Sequence, residues 1–533
     1  MRRTGGGVLA ATVAAALALG AAGCGGGSSP EPASLATVVP ANTPLYVEAS
    51  VRPQGATKDA LETSLSKLLG TRNPAAMITA RLDRELGKAG LTYSDDVAPW
   101  LGQEAAIFYQ SFGAHPSGAV VVQTSDADAT AAAFKKSEAA DHKPVRSSTH
   151  AGVDVDLAGN DALATLDGLA VIGSPGGVNA AIDASQGHSL AEEKDYTSSL
   201  AGAPSDRVFT AWADPARIID SVASSGKLSS SQATGLRTQF GSFLSKPVAA
   251  WGDATKDSLA VELSFAAPSN AKPASTSLIS GFPDDAWLAF GASGFGQGFA
   301  KGLEQLRAQQ AGQAVGSSDP LDRIRQALGV DVGNIGKWLG DVSGYIGGTS
   351  IIDLGGAIVV QTRDEAASAK SLAELQRAFE RDIDVITRPL AGGQTGFTVT
   401  PTGAPVQFVF TQRQGKVIAG LGQDSVDSAL NPPSTLADSN AFKAASTGLD
   451  GLPASFYLDF QPISTLLDIP GVSTNPNLQL AKPYLDRLDY LVAGGGVKDG
   501  RLLARLVLGV KSGAGSSSSV ASAGAPPYAA VMR

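Results

Sequence analysis

Short runs in which large apolar residues alternate with small or polar ones recur along most of this chain, cut by glycine and proline. That period-two pattern predicts strands. Leu45 to Val51 and Ala286 to Ser293 read this way, as do Ala105 to Tyr109, Ala119 to Thr124, Val153 to Leu157, Leu169 to Gly173, Val208 to Trp212 and Leu259 to Phe265. Helical spacing lies between them. Asn73-Pro74 opens a helix with Ile78, Leu82 and Leu86 on one face, and Asp319-Pro320 opens one with Leu321, Ile324 and Leu328 before Gly329 stops it. Ser125-Asp126 caps a helix over Ala127 to Lys136, two short helical stretches precede Val208, and Lys256-Asp257 turns a hairpin. Consecutive strands joined by turns imply antiparallel pairing, so the expected class is α+β.

The chain also matches itself. At an offset of 238 residues Trp100-Leu101-Gly102 meets Trp338-Leu339-Gly340, and Val121-Val122-Gln123-Thr124-Ser125-Asp126 meets Val359-Val360-Gln361-Thr362-Arg363-Asp364. With small shifts, Pro40 to Val47 corresponds to Pro283 to Phe290, Tyr196 to Phe442, and the Lys256-Asp257 turn to Lys498-Asp499-Gly500. The expectation is two tandem repeats, 39–266 and 282–511, each a largely antiparallel sheet with helices packed on one face. A linker over 267–281 joins them, and a low-complexity tail over 512–533 follows.

The N-terminal pattern differs. Arg2-Arg3, an apolar run from Val8 to Leu19, and Ala21-Ala22-Gly23-Cys24 form a lipoprotein export signal over 1–23, with Cys24 as the residue to be lipidated. Gly25 to Pro30 begins a flexible tether over 24–38. The expected location is the outer face of the cytoplasmic membrane, with plain secretion as the alternative. Cys24 is the only cysteine, so no disulfide forms within the chain. A net charge of −9, with no basic stripe, argues against a nucleic-acid partner.

Chemistry is sparse. Turn prolines precede aromatic strands at Tyr46, Phe209, Trp287 and Tyr457. These four, with Trp100 and Trp338, are either core or the lining of an apolar ligand site, and they are the candidate site residues. His115, His142, His150 and His188 have no ligand spacing, so no metal and no cofactor is expected. Gly291-Ala292-Ser293-Gly294-Phe295 breaks a nucleophile elbow at its last position, and Gly296, Gly298 and Gly302 read as a flexible turn rather than a dinucleotide loop. Glu48, Glu104, Asp341 and Asp459 read as solvated carboxylates. No catalytic residue is assigned.

The lipoprotein signal, the proline-aromatic strand, Gly90-Leu91 and Asp96-Val97-Ala98-Pro99-Trp100-Leu101-Gly102 together resemble a bacterial family known as domain of unknown function 3352. That resemblance implies an exported or membrane-tethered protein, typical of high-GC Gram-positive bacteria. It supplies no catalytic residues. The functional expectation is a non-catalytic, lipid-anchored envelope protein that binds an apolar small molecule or an envelope protein partner. The alternatives are an extracytoplasmic hydrolase whose Asp and Ser residues are gathered by the fold, and a structural spacer.

Overall fold

The computed structural model describes residues 34–112, 116–267, 277–310, 331–350, 353–468 and 476–512. The helix expected at 319–328, Cys24 and His115 lie outside them. In chain order the first elements are β1 (Leu45–Ser50), α1 (Gly55–Leu69), α2 (Pro74–Leu86), β2 (Leu101–Ser111), β3 (Ser117–Thr124), α3 (Ala127–Ala140), β4 (Arg146–His150), β5 (Val153–Ala158), β6 (Asp161–Leu166) and β7 (Leu169–Gly173). Then come α4 (Pro175–Ser185), α5 (Lys194–Ser199), β8 (Phe209–Ala213), α6 (Pro215–Ser224), α7 (Ser230–Leu244), β9 (Val248–Ala254) and β10 (Ser258–Ala266).

The elements after residue 277 begin with β11 (Ala286–Ala292), α8 (Phe295–Gln310), α9 (Val332–Trp338), β12 (Leu339–Gly347), β13 (Gly355–Thr362), α10 (Glu365–Phe379), β14 (Val385–Pro389), β15 (Gly396–Pro401), β16 (Phe408–Arg413) and β17 (Lys416–Leu421). They end with α11 (Gly422–Leu430), α12 (Asn440–Thr447), β18 (Ala454–Asp459), α13 (Phe460–Leu467), α14 (Pro476–Leu485), β19 (Leu488–Lys498) and β20 (Arg501–Val510).

All these strands join one antiparallel sheet. From one edge the order is β4, β5, β6, β7, β3, β2, β1, β8, β9, β10. It continues β20, β19, β18, β11, β12, β13, β17, β16, β15, β14. The seam is β10 against β20, running from Ser258 opposite Gly509 to Ala266 opposite Arg501, with Glu262 opposite Arg505 at its centre.

The two motifs that recur in the sequence touch each other in both places. Leu101 pairs with Thr124 and Leu339 with Thr362. A Cβ on Gly102 would sit 2.9 Å from the Gln123 carbonyl oxygen, and one on Gly340 would meet the Gln361 carbonyl oxygen more closely still, so only glycine lets these backbones approach. Asp126 then caps α3 by accepting from the Ala129 N–H at 2.9 Å, and Asp364 caps α10 by accepting from Ala367 at the same distance. Asn73 caps α2 in the expected way, accepting from Ala76, with Leu82 and Leu86 buried beneath that helix.

Helices cover both faces of the sheet rather than one. On the first face Leu82 and Leu86 of α2 and Phe134 of α3 pack on Val120, Val122 and Ile172. On the second, Val178 and Ile182 of α4 and Tyr196 of α5 pack on Val121, Val171 and Trp212. Consecutive valines of β3 therefore serve opposite cores, which a fully apolar strand requires. The later elements repeat this: α10 contributes Leu372 to a cluster with Phe397 on the first face, while α11 and α12 bury Val426 and Phe442 against Val359, Ile418 and Tyr457 on the second.

Three boundaries move. Leu35, Ala36 and Val38, expected in the tether, form a buried 3₁₀ turn in the core of the second face. Ile279, expected in the linker, is fully buried among β11 and β13 residues. Gly296 and Gly298 open α8 instead of a turn, and Gly296 allows that helix to lie directly on the Leu339 carbonyl.

Candidate apolar ligand face

β10 reads Ser-Leu-Ala-Val-Glu-Leu-Ser-Phe-Ala. Ordinary alternation would bury Leu259, Val261, Leu263 and Phe265 and leave Glu262 and Ser264 in water. The structure does the reverse. Glu262 and Ser264 are buried, whereas Val261 is 39% and Leu263 38% exposed. β20 follows suit: Leu503 and Val507 are buried on the second face, and Leu506, on the first, is 44% exposed.

The polar side is satisfied, which explains how it tolerates burial. Arg505 reaches across the seam, its guanidinium 3.0 Å from Glu262 and 2.9 Å from Asp253, and its Nε donates to the Gly448 carbonyl at 2.7 Å. Arg501 donates to the hydroxyl and carbonyl oxygens of Ser264 at 2.9 and 3.0 Å. A buried arginine fork with carboxylate and carbonyl acceptors is a specific join between the two halves of the sheet.

The apolar side is partly open, with Val261, Leu263 and Leu506 its exposed side chains on β10 and β20. On the first face the ladder register aligns Ile346, Leu288, Leu458, Leu491, Leu508 and Leu259 in one row across β12, β11, β18, β19, β20 and β10. All six are half-buried. Five interstrand steps make the row about 24 Å long. A parallel row runs through Phe290, Phe456, Ala493, Leu506, Val261 and Phe209, interrupted only by Gly252. Complete burial of a Val or Leu side chain is worth about 1.5–3 kcal/mol, so Val261, Leu263 and Leu506 together forgo about 2–4 kcal/mol. Contiguous exposed apolar surface is the kind of surface on which interaction sites are sought, which makes this face the candidate. One end of it is closed by α1, where Lys67 donates to the Lys256 carbonyl at 2.9 Å.

Of the six aromatic candidates, Phe209 is the one on this face, its ring lying on Gly252. Tyr46 and Tyr457 are buried in the cores of the second face. Trp100 is buried with its indole N–H donating to the Asp96 carbonyl, and Trp338 is buried with its indole donating to Ser371. Trp287 is half-buried and donates to the Gly348 carbonyl at 2.9 Å. These five are anchors of packing. The aliphatic rows were missed because each strand, read alone, looks like one that buries its apolar side.

Glu48 and Glu104 are not solvated carboxylates. Glu48 lies opposite Ala106 and Glu104 opposite Ser50, which places both on the second face of adjacent strands. Tyr46 donates to Glu48 at 2.9 Å, and the Gln123 amide donates to Glu104 at 3.2 Å. Burial, reinforced by the Glu48 carboxylate and opposed by Arg207, pushes Glu104 up to about 7, and burial raises Glu48 as well. Their partners are rooted in the sheet, so the pair has the character of a packed polar contact. Asp341 accepts from the Gly294 N–H at 2.7 Å, and Asp459 caps α13 by accepting from Gln461 at 2.8 Å.

Among the described residues, no three His, Cys, Asp or Glu side chains are grouped so as to hold a metal ion, and no helix is long and apolar enough to cross a membrane.

The family model described as a protein of unknown function, DUF3352, matches residues 4–494. The chain belongs to the DUF3352 family. No curated protein matches it. Among solved structures it is similar to TP0453 in crystal form III, at 12% identity, with 46% of this chain and 82% of that one covered and a TM-score of 0.23. Crystal form I of TP0453 gives 10% identity over 45% and 81%, with the same TM-score. A likeness this slight carries neither fold nor function to this DUF3352 member.

Proposed function

We propose that this DUF3352 protein is a non-catalytic, lipid-anchored envelope protein that holds an apolar ligand on the open face of its central strands. The observation that carries this reading is the inverted burial of β10 and β20, with Glu262 and Ser264 inside and Val261, Leu263 and Leu506 outside. Leaving aliphatic side chains half wet while sequestering a carboxylate costs stability, and a bound apolar ligand restores what is forgone. The aromatic lining first expected from Tyr46 and Tyr457 is replaced by an aliphatic one.

The reading includes attachment through Cys24 on the outer face of the cytoplasmic membrane, because the export signal ends there. It also includes a duplication. The strand orders outward from β10 and from β20 are the same series of places, and the matched Trp-Leu-Gly and Val-Val-Gln-Thr segments make the same contacts in each half. A symmetric sheet would set identical residues against each other at its centre, and the Glu262 and Arg505 pair there replaces self-repulsion with attraction.

Native mass spectrometry of the protein purified from its own envelope, with lipid extraction, tests the ligand. A reproducible apolar ligand that is lost from a Leu506→Asp variant is expected, and a protein that is empty at every preparation overturns the reading. A Cys24→Ser protein should leave the membrane fraction, and full membrane partition of that variant overturns the anchor.

A further inference from the structure

We infer that the ligand of this face is a lipid with two hydrocarbon chains lying side by side across the strands, an inference that rests on the apolar-ligand reading above. The open surface is a field, not a single groove. On β10 alone four rows begin, at Leu259, Val261, Leu263 and Phe265, and each continues through apolar or glycine positions of β20 and β19. The field is about 24 Å along the first row and about 20 Å along the strands, from six residues at 3.3 Å each. One chain laid along one row covers that row and leaves its neighbours wet, whereas two adjacent chains cover two rows and shield each other's flanks. The row is also longer than the roughly 15 Å filled by the chains of one bilayer leaflet, so a long chain lies on it at full length.

Two further observations favour hydrocarbon over a macromolecular occupant. The backbone of β10, β20 and β19 is hydrogen-bonded to neighbours on both sides, and the side chains that project from this face carry no polar atom. A protein interface carries about one hydrogen bond per 100–200 Å², and this face can offer none. The field covers at most about 500 Å², the product of its two longest dimensions, short of the roughly 800 Å² that each partner contributes to a stable pair, so a second copy is a poor occupant.

The test uses the full chain carrying Cys24→Ser, so that its own anchor adds no acyl mass, with dioleoyl phosphatidylglycerol and oleoyl lysophosphatidylglycerol as probes. Bound lipid is counted by native mass spectrometry and affinity is read by displacement of a fluorescent acyl probe. The expected result is one diacyl molecule per chain, bound at least tenfold more tightly than the lysolipid, and up to two lysolipid molecules per chain. Leu508→Ser and Leu506→Ser, in adjacent rows, should each weaken diacyl binding about tenfold while leaving one lysolipid bound. Equal affinity for the two probes, or diacyl binding indifferent to one of the two rows, overturns the two-chain inference and leaves the apolar-ligand reading standing. Binding of neither probe at any concentration overturns both. A lipid-free mass of two chains that the variants abolish assigns the face to a second copy, and diacyl binding that arises only after removal of residues 513–533 assigns it to the chain's own tail. Either outcome also overturns the inference.

Discussion

Leu503 and Leu506 stand three residues apart on β20 and point to opposite faces of the sheet, so truncating each to alanine compares the two faces with identical chemistry. Leu503 is 9% exposed and packs into the core with Trp251 and Trp212, whereas Leu506 is nearly half exposed. A Leu→Ala change in a packed core costs about 2–5 kcal/mol because it removes transfer free energy and leaves a cavity. Leu503→Ala should therefore cost about 3 kcal/mol. At Leu506 only about half of the side chain has left water, and water refills the space, so the cost is about half the 1.5–3 kcal/mol transfer value, or about 1 kcal/mol. Urea unfolding of lipid-stripped full chain measures both, as shifts in midpoint at unchanged slope. Added lipid should then raise the wild-type and Leu503→Ala midpoints and raise that of Leu506→Ala less. Equal costs at the two positions in the absence of lipid would refute the reasoning, because they would mean that the first face is as tightly packed as the second.

The seam supplies a second prediction: Arg505→Met should destabilise by about 3–5 kcal/mol, since it leaves the Glu262 and Asp253 carboxylates buried without their partner, and adding Glu262→Met should recover part of the loss in a double-mutant cycle. Glu104 supplies a pH dependence. Its pKa is raised to about 7 in the folded chain from an ordinary 4.5, so between those values the folded state holds a proton that the unfolded state has lost. Stability from this group is therefore full below about 4.5, falls as pH rises through the window, and is at its lowest above 7. Glu104→Gln should flatten the melting temperature between pH 5 and 7 and raise it at pH 8, and parallel curves for the two proteins would refute the assignment. Gly102→Ala and Gly340→Ala should each cost about 1–3 kcal/mol, because both methyls meet a carbonyl oxygen of the adjoining strand. Thermal melts that respond to one and not the other would show that the two Trp-Leu-Gly corners are packed differently.

Local signals in the chain carried the outer parts of the fold well. Asn73, Ser125-Asp126 and Leu169 to Gly173 mark caps and a strand through backbone needs that act within a few residues, and the structure places them as read. β4, with its Arg-Ser-Ser-Thr-His composition and exposed edge position, has no apolar side to announce it. Glu48 and Glu104 read as surface because what surrounds them, each other's strand for both and Tyr196 beside Glu48, is not near them in sequence. The placement of helices on both faces was equally invisible, since a run such as Val120-Val121-Val122 signals double burial without saying what covers it.

The central strands failed for a different reason, and the failure is informative. Alternation in β10 identifies two faces correctly but assigns them by the assumption that folding alone decides which is buried. Glu262 could be inside only if a partner arrived from far away, and its partner, Arg505, is 243 residues distant in sequence. Once that pair fixes the register of the seam, the aliphatic face has no freedom to turn inward, because a one-residue slip would expose the ion pair and bury Leu263 at the same time. The chain thus holds its apolar face toward water by satisfying its charges on the other side. A face held open in that way is the surface that the proposed hydrocarbon occupant would cover, and burying Val261, Leu263 and Leu506 beneath it would return the free energy that the seam's register forgoes.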